Sequence, residues 1–214
     1  MNIDRLYFPV TTLGPGERVA LWTRGCTKHC PGCANPELWD TGADSEIAID
    51  RLASVLLDLA KRTGVHRLTV TGGDPLEQAS ALADLLAHIR PAFDDILVYT
   101  GFTAEELGAA LPSGTRDALF GSPDALAPPS APRRAERPAN PSPLIDVLID
   151  GPYVESLNDG ACGLRGSTNQ RVIVLNAALE NLYHEEERKP RRVQNAVFDG
   201  RALSIGIHGR PDET

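Results

Sequence analysis

Three of the four cysteines in this 214-residue chain stand together as Cys26-x-x-x-Cys30-x-x-Cys33. Thiolates at such spacing bind metal. Three of them can hold a four-iron cluster while leaving one iron without a protein ligand, a position open to a small molecule. Two other chemistries fit the residue types. A zinc site would draw on Cys30, Cys33 and either Cys26 or His29, but no second C-x2-C pair follows downstream. A four-cysteine ferredoxin site would need Cys162 to fold back, and nothing around Cys162 has the form of a ligand loop.

The elements that must position these cysteines follow from apolar patterning. Arg18–Thr23 is a short buried strand leading directly into the cysteine loop. Leu52, Val55, Leu56 and Leu59 recur at helical spacing and give a helix over 47–62, punctuated by Gly64. Arg67–Thr71 is the next strand, ending in the turn Gly72-Gly73-Asp74-Pro75. Leu82, Leu85, Leu86 and Ile89 mark a second helix, stopped near Pro91. A strand over 96–100 follows, and Thr103-Ala-Glu-Glu106 is a capping box opening a third helix. Residues 144–149 and 172–175 are further strands. Apolar runs over 193–198 and 202–207 flank Asp199-Gly200, a hairpin signal. Alternating strands and helices predict an α/β fold: a mostly parallel sheet with flanking helices and a C-terminal β-hairpin. In such sheets functional residues gather at the carboxyl ends of the strands, where the cysteine loop and the Gly-Gly-Asp turn both lie.

The sequence predicts one domain over 1–214. Within it, residues 121–143 form a Pro-rich, flexible surface insertion carrying Pro123, Pro128, Pro129, Pro132, Pro138, Pro141 and Pro143 with Arg133, Arg134 and Arg137. The charge run Glu185–Lys189 is expected on the solvated surface. Net charge is −8, which argues against non-specific nucleic-acid binding and against a polybasic membrane contact. No apolar run reaches spanning length and the N-terminal stretch lacks a signal pattern, so a cytoplasmic location is expected. Clustered cysteines in a reducing compartment favour metal over disulfides.

Taken together, Cys26, Cys30 and Cys33 after one strand and Gly72-Gly73-Asp74-Pro75 after the next resemble the radical S-adenosylmethionine (SAM) superfamily. Within it the chain is most similar to the activating proteins of anaerobic (class III) ribonucleotide reductase. Three stretches carry that resemblance: Arg24-Gly-Cys-Thr-Lys-His-Cys-Pro-Gly-Cys33 with Asn35 and Trp39, Thr71–Leu76, and Asp150-Gly-Pro-Tyr-Val154 continuing to Arg165–Arg171. Gly32 fits this group, where many superfamily members place an aromatic.

The resemblance implies an incomplete (βα) barrel, a [4Fe-4S] cluster on Cys26, Cys30 and Cys33, and SAM as cofactor. It implies reductive cleavage of SAM to a 5′-deoxyadenosyl radical that abstracts hydrogen from a glycine of a partner glycyl radical enzyme. Reduced flavodoxin or ferredoxin would supply the electron. SAM contacts are expected from Gly72, Gly73 and Asp74, from Tyr99 and Thr100, and from Asp150. Asp74 would pair with the ammonium group, although the superfamily more often has Glu there. Arg165, Ser167, Asn169 and Gln170 form a polar run suited either to binding SAM or substrate or to capping a loop. Asp150 is open to an alternative as an ordinary turn residue. No residue is assigned a catalytic role beyond cofactor binding. A superfamily enzyme acting on a small molecule or a ribosomal peptide is the alternative function.

Overall fold

A computed structural model describes residues 1–42, 45–126, 142–198 and 200–207. The main sheet has six strands in sequence order: β1 (Ile3–Val10), β2 (Arg18–Thr23), β3 (Arg67–Gly72), β4 (Asp95–Tyr99), β5 (Val147–Asp150) and β6 (Arg171–Val174). Strands β2 to β5 run parallel, while β1 and β6 close the two edges antiparallel. The coarse α/β expectation holds, as does the C-terminal hairpin, β7 (Val193–Phe198) with β8 (Arg201–Gly206). Asp199 of its expected turn lies outside the described residues.

Every residue of β2 and β5 is buried, as expected where a parallel sheet is covered on both faces. One face carries α1 (Ile49–Thr63), α2 (Ala79–Ile89), α3 (Ala104–Ala110) and α4 (Ser113–Phe120). Helix α1 buries Leu52, Ala53, Leu56 and Ala60, a helical stripe, and ends where Gly64 takes the left-handed conformation at φ 71°. Helix α2 contributes Leu82, Leu85, Leu86 and Ile89 to the same core against Val19, Leu21, Val70 and Val98. The capping box at Thr103 and Glu106 is formed as expected.

The opposite face is covered by two later pieces. The hairpin lays Ile205 and Leu203 on Val10, Leu13, Ala20 and Trp22. Helix α5 (Glu180–Glu187) lays Tyr183 on Leu97, Val147 and Ile149. Beneath them lies a buried polar knot. Arg18 pairs with Asp95 at 2.7 Å and donates to Thr69 and the Leu68 carbonyl, and the Tyr183 hydroxyl donates to Asp95 at 2.6 Å.

Three features differ from the sequence expectation. The edge strand β1 and the helices α4 and α5 were not foreseen. Glu186, placed on the solvated surface by its charge run, is buried and paired with Lys189 and Arg192, both at 2.7 Å or less. Part of the expected insertion is ordered: residues Pro123–Leu126 form a 3-10 turn, with Leu126 in the core. Residues 127–141, which hold most of that segment's prolines and Arg133, Arg134 and Arg137, lie outside the described residues.

Candidate cluster site

The cysteine loop leaves β2 and is closed on itself before any ligand is considered. Gly25 N–H donates to the Leu38 carbonyl and Cys26 N–H to the Trp39 carbonyl, each at 2.9 Å. The Arg24 guanidinium donates to the carbonyls of Glu37 and Asp40 and pairs with Asp4 at 2.9 Å. Leu38 is fully buried under the loop, and the His29 ring stacks on Trp39 at 4.6 Å between centroids.

The Gly-Gly-Asp turn is pressed against the start of this loop. Gly73 N–H donates to the Thr23 carbonyl at 2.8 Å and Asp74 N–H to the Gly25 carbonyl at 2.7 Å. A Cβ on Gly73 would lie 2.5 Å from the Gly25 oxygen, and one on Gly72 would lie 2.5 Å from the Thr23 backbone. The two glycines therefore let one backbone approach another. Glu77, just beyond the turn, receives the Thr27 N–H at 3.0 Å and the Thr27 hydroxyl. On the far side Lys28 pairs with Glu106 at 3.1 Å and lies 4.1 Å from the centre of the Phe102 ring. The loop is thus stapled to the exits of β3 and β4.

All three cysteines are free and half-buried. The Asn35 N–H donates to the Cys33 sulfur at 3.5 Å. Burial pushes the Cys26 and Cys30 thiols above their ordinary range, partly offset by the backbone N–H groups of Lys28 and His29 near Cys26 and of Tyr153 near Cys30. Such donors stabilise negative sulfur and suit ligation to iron. Among the described residues no three His, Cys, Asp or Glu side chains gather about one metal-ion position. A four-iron cluster binds its cysteines through separate iron atoms and needs no such convergence.

The residues expected to meet SAM fall into two groups. Gly72, Gly73, Asp74 and Thr100 come together beside the cysteine loop. The Asp74 carboxylate is almost fully buried and accepts from Leu76 N–H, Thr100 hydroxyl and Gly101 N–H at 2.8–3.1 Å. Burial outweighs these donors and pushes its carboxyl up to about 6. Tyr99 points to the other face, among Ile149, Leu164 and Cys162. Its hydroxyl is buried without a hydrogen-bond partner among the described residues, and burial raises its pKa well above the ordinary phenol range.

Asp150 is also buried. It accepts the Ala104 N–H at the start of α3 at 2.7 Å and pairs with Arg171, which forks onto Glu105 as well. The polar run bonds to the backbone of the loop that follows β5. Gln170 donates to the Gly151 carbonyl at 3.0 Å, Asn169 to the Pro152 carbonyl at 2.8 Å, and Ser167 accepts the Val154 N–H at 3.1 Å. Arg165 donates to the Gln170 carbonyl and to the Cys162 sulfur. Sequence reasoning missed Arg24, Glu77 and Tyr153. Arg24 and Tyr153 lay within the stretches that carried the resemblance, whereas Glu77 had no signal of its own.

Comparison with known proteins agrees with this geometry. A family model described as a 4Fe-4S single cluster domain matches residues 12–126, more than half of the chain. The chain is 32% identical over 174 residues to the anaerobic ribonucleoside-triphosphate reductase-activating protein of Salmonella typhi, covering 78% of this chain and 94% of that protein. The protein of the same name from Escherichia coli K12 is 30% identical over 175 residues, with the same coverage. That of Enterobacteria phage T4 is 27% identical over 176 residues, covering 80% of this chain and 93% of the relative.

Proposed function

This chain belongs to the family of anaerobic ribonucleoside-triphosphate reductase-activating proteins, and from that premise we propose that it is a radical SAM activase for an anaerobic ribonucleotide reductase. The observation that carries the proposal is the triad of free cysteines on a loop closed by its own backbone bonds, with the Asn35 N–H donating to the Cys33 sulfur. Cys26, Cys30 and Cys33 hold a [4Fe-4S] cluster. When bound, the cluster supplies the electron that cleaves SAM, and the resulting radical takes hydrogen from a glycine of the reductase.

The chain's own residues build and orient this site. Arg24 and the 25–38 and 26–39 backbone bonds hold the loop closed. Glu77 and Lys28 tie it to the neighbouring strand exits. Gly72, Gly73, Asp74 and Thr100 form the adjoining wall, and we place the methionine end of SAM against it. Direct pairing of Asp74 with the SAM ammonium group would use the acceptor site that its three protein donors leave, and would require the wall to open because Asp74 is almost fully buried. Tyr99, with its unpartnered hydroxyl, and Asp150 flank the adenosine end, and Arg165, Ser167, Asn169 and Gln170 shape the loop beside it.

We take the six-stranded sheet, antiparallel at both edges, as the frame of an incomplete barrel that a partner's peptide loop would enter. The proposal includes a single catalytic domain, reduced flavodoxin or ferredoxin as electron donor and a cytoplasmic setting. Among the described residues no helix is long and apolar enough to cross a membrane.

Anaerobic reconstitution with iron and sulfide tests the reading. A brown protein with about four irons per chain that cleaves SAM under reduction supports it. Deuterium moving from a labelled reductase glycine into 5′-deoxyadenosine identifies the activase. A colourless protein holding stoichiometric zinc would overturn it.

A further inference from the structure

One aromatic side chain joins the cysteine loop to the loop after β5. The Tyr153 ring lies between two glycines from different segments. A Cβ on Gly32, within the cysteine loop, would stand 3.2 Å from its Cε1, and a Cβ on Gly166 would stand 2.9 Å from its Cδ2. Glu155 lies against the same Gly32 position, its Oε1 2.8 Å from the added Cβ. The Tyr153 hydroxyl accepts from Asn158 at 3.1 Å, and Asn158 is buried and held by Arg191 at 2.6 Å. The backbone on either side is fixed as well, through Gln170 on Gly151, Asn169 on Pro152 and Ser167 on Val154.

We infer that Tyr153 is the positioning residue for the Cys30–Cys33 edge of the cluster, and that the Ser167–Gln170 turn acts on the cluster through it. The inference rests on the cluster-binding reading above. A ring packed on the ligand loop holds the loop's shape and keeps water off that edge, and both effects tune a cluster from outside its ligand set. The seat of the Tyr153 ring between Gly32 and Gly166 carries both. The hydroxyl only steadies the ring.

The experiment compares reconstituted wild type with Tyr153→Ala, Tyr153→Phe, Gly166→Ala and the double variant Gly166→Ala/Tyr153→Ala. The readouts are the electron paramagnetic resonance spectrum of the reduced cluster and its bleaching time in air. Tyr153→Ala removes the ring and opens that edge of the loop to water. A shifted spectrum and a lifetime shorter by on the order of 10-fold are expected. Tyr153→Phe keeps the ring and should match wild type.

Gly166 has no positive φ, and among the described residues the atoms nearest its added Cβ belong to the Tyr153 ring, at 2.9 and 3.3 Å, with Gln170 Oε1 next at an ordinary contact distance of 3.4 Å. Gly166→Ala should therefore reproduce the Tyr153→Ala defect, yet add nothing when combined with it. A wild-type spectrum and lifetime in Tyr153→Ala overturn the inference. So does a Gly166→Ala defect of equal size in both backgrounds. Should Tyr153→Ala not fold, Gly166→Ala against Tyr153→Phe carries the test. A wild-type chain that takes up no cluster would instead refute the cluster reading itself.

Discussion

The Thr100 hydroxyl donates to both oxygens of the Asp74 carboxylate, at 2.8 and 3.1 Å, and so bolts the exit of β4 to the exit of β3. Both groups are buried, and the Asp74 backbone in turn holds Gly25 at the root of the cysteine loop. Thr100→Val keeps the shape and removes the donor. It leaves a buried carboxylate short of a partner, at a cost of about 1–3 kcal/mol. The midpoint of urea unfolding should fall, and iron uptake on reconstitution should fall with it. A variant with wild-type stability would show that the bond is not formed in solution.

Asp74 also gives the iron-free protein a pH signature. Its carboxyl sits at about 6 in the fold because of burial, against an ordinary value of 3.8. A folded pKa above the unfolded one means that the folded state binds the proton more tightly. That stabilising contribution is complete below about 4 and is lost as pH rises through about 6. Ionising Asp74 then costs on the order of 2–3 kcal/mol. Stability measured from pH 4 to 7 should therefore include a component that falls with pH. Asp74→Asn should flatten that component, and an unchanged slope in the variant would count against the assignment.

The glycines around the site separate into those that touch backbone and those that do not. Gly73→Ala places a methyl 2.5 Å from the Gly25 carbonyl, and Gly72→Ala meets Thr23 while holding φ at 110°. Neither neighbour can swing away, so both variants should lose cluster binding and much of their stability. Gly108, inside α3, has nothing within 4 Å of an added Cβ. Gly108→Ala should instead stabilise by about 0.5–1 kcal/mol. Thermal unfolding of the three variants side by side checks the contrast.

Much of the candidate site was legible because its signal is local. Three cysteines within eight residues, a Gly-Gly-Asp turn after an apolar strand and a Thr-x-x-Glu cap each announce themselves without knowledge of the fold. What escaped depends on partners far along the chain. Helix α5 is polar by composition, and its place follows from Tyr183 reaching Asp95 and Glu186 meeting Arg192. Edge strand β1 has one neighbour and no clean alternation. The polar run Arg165–Gln170 could be recognised as important but not aimed, because its targets are backbone groups of 151–154. Tyr153 drew no notice for the same reason: its role lies in touching two glycines from two loops.

Cys162 separates a four-cysteine site from a three-cysteine one. It is buried among Leu97, Val147, Ile149 and Leu164, with Arg165 donating to its sulfur at 3.4 Å. Cys162→Ala should retain about four irons per chain and the wild-type spectrum, with a modest loss of stability from the small cavity. Alanine at Cys26, Cys30 or Cys33 should each abolish the cluster. Loss of iron in the Cys162 variant would refute the three-cysteine assignment.

Asp150 and Arg171 pose the last test, because the Asp150 carboxylate was expected to contact SAM. In the structure it caps α3 through Ala104 and is forked by Arg171, which also grips Glu105 and holds that carboxyl down at about 2. Arg171→Met leaves Asp150 buried with only the Ala104 donor. Arg171 is partly exposed, so the loss is discounted from that of a fully buried pair to about 1–3 kcal/mol. If Asp150 acts by fixing α3, Arg171→Met and Asp150→Asn should lower the melting temperature of the cluster-free chain by similar amounts. SAM affinity, measured on the reconstituted protein below both melting points, should then change little. A large loss of affinity in Asp150→Asn with stability preserved would instead make the carboxylate a SAM ligand.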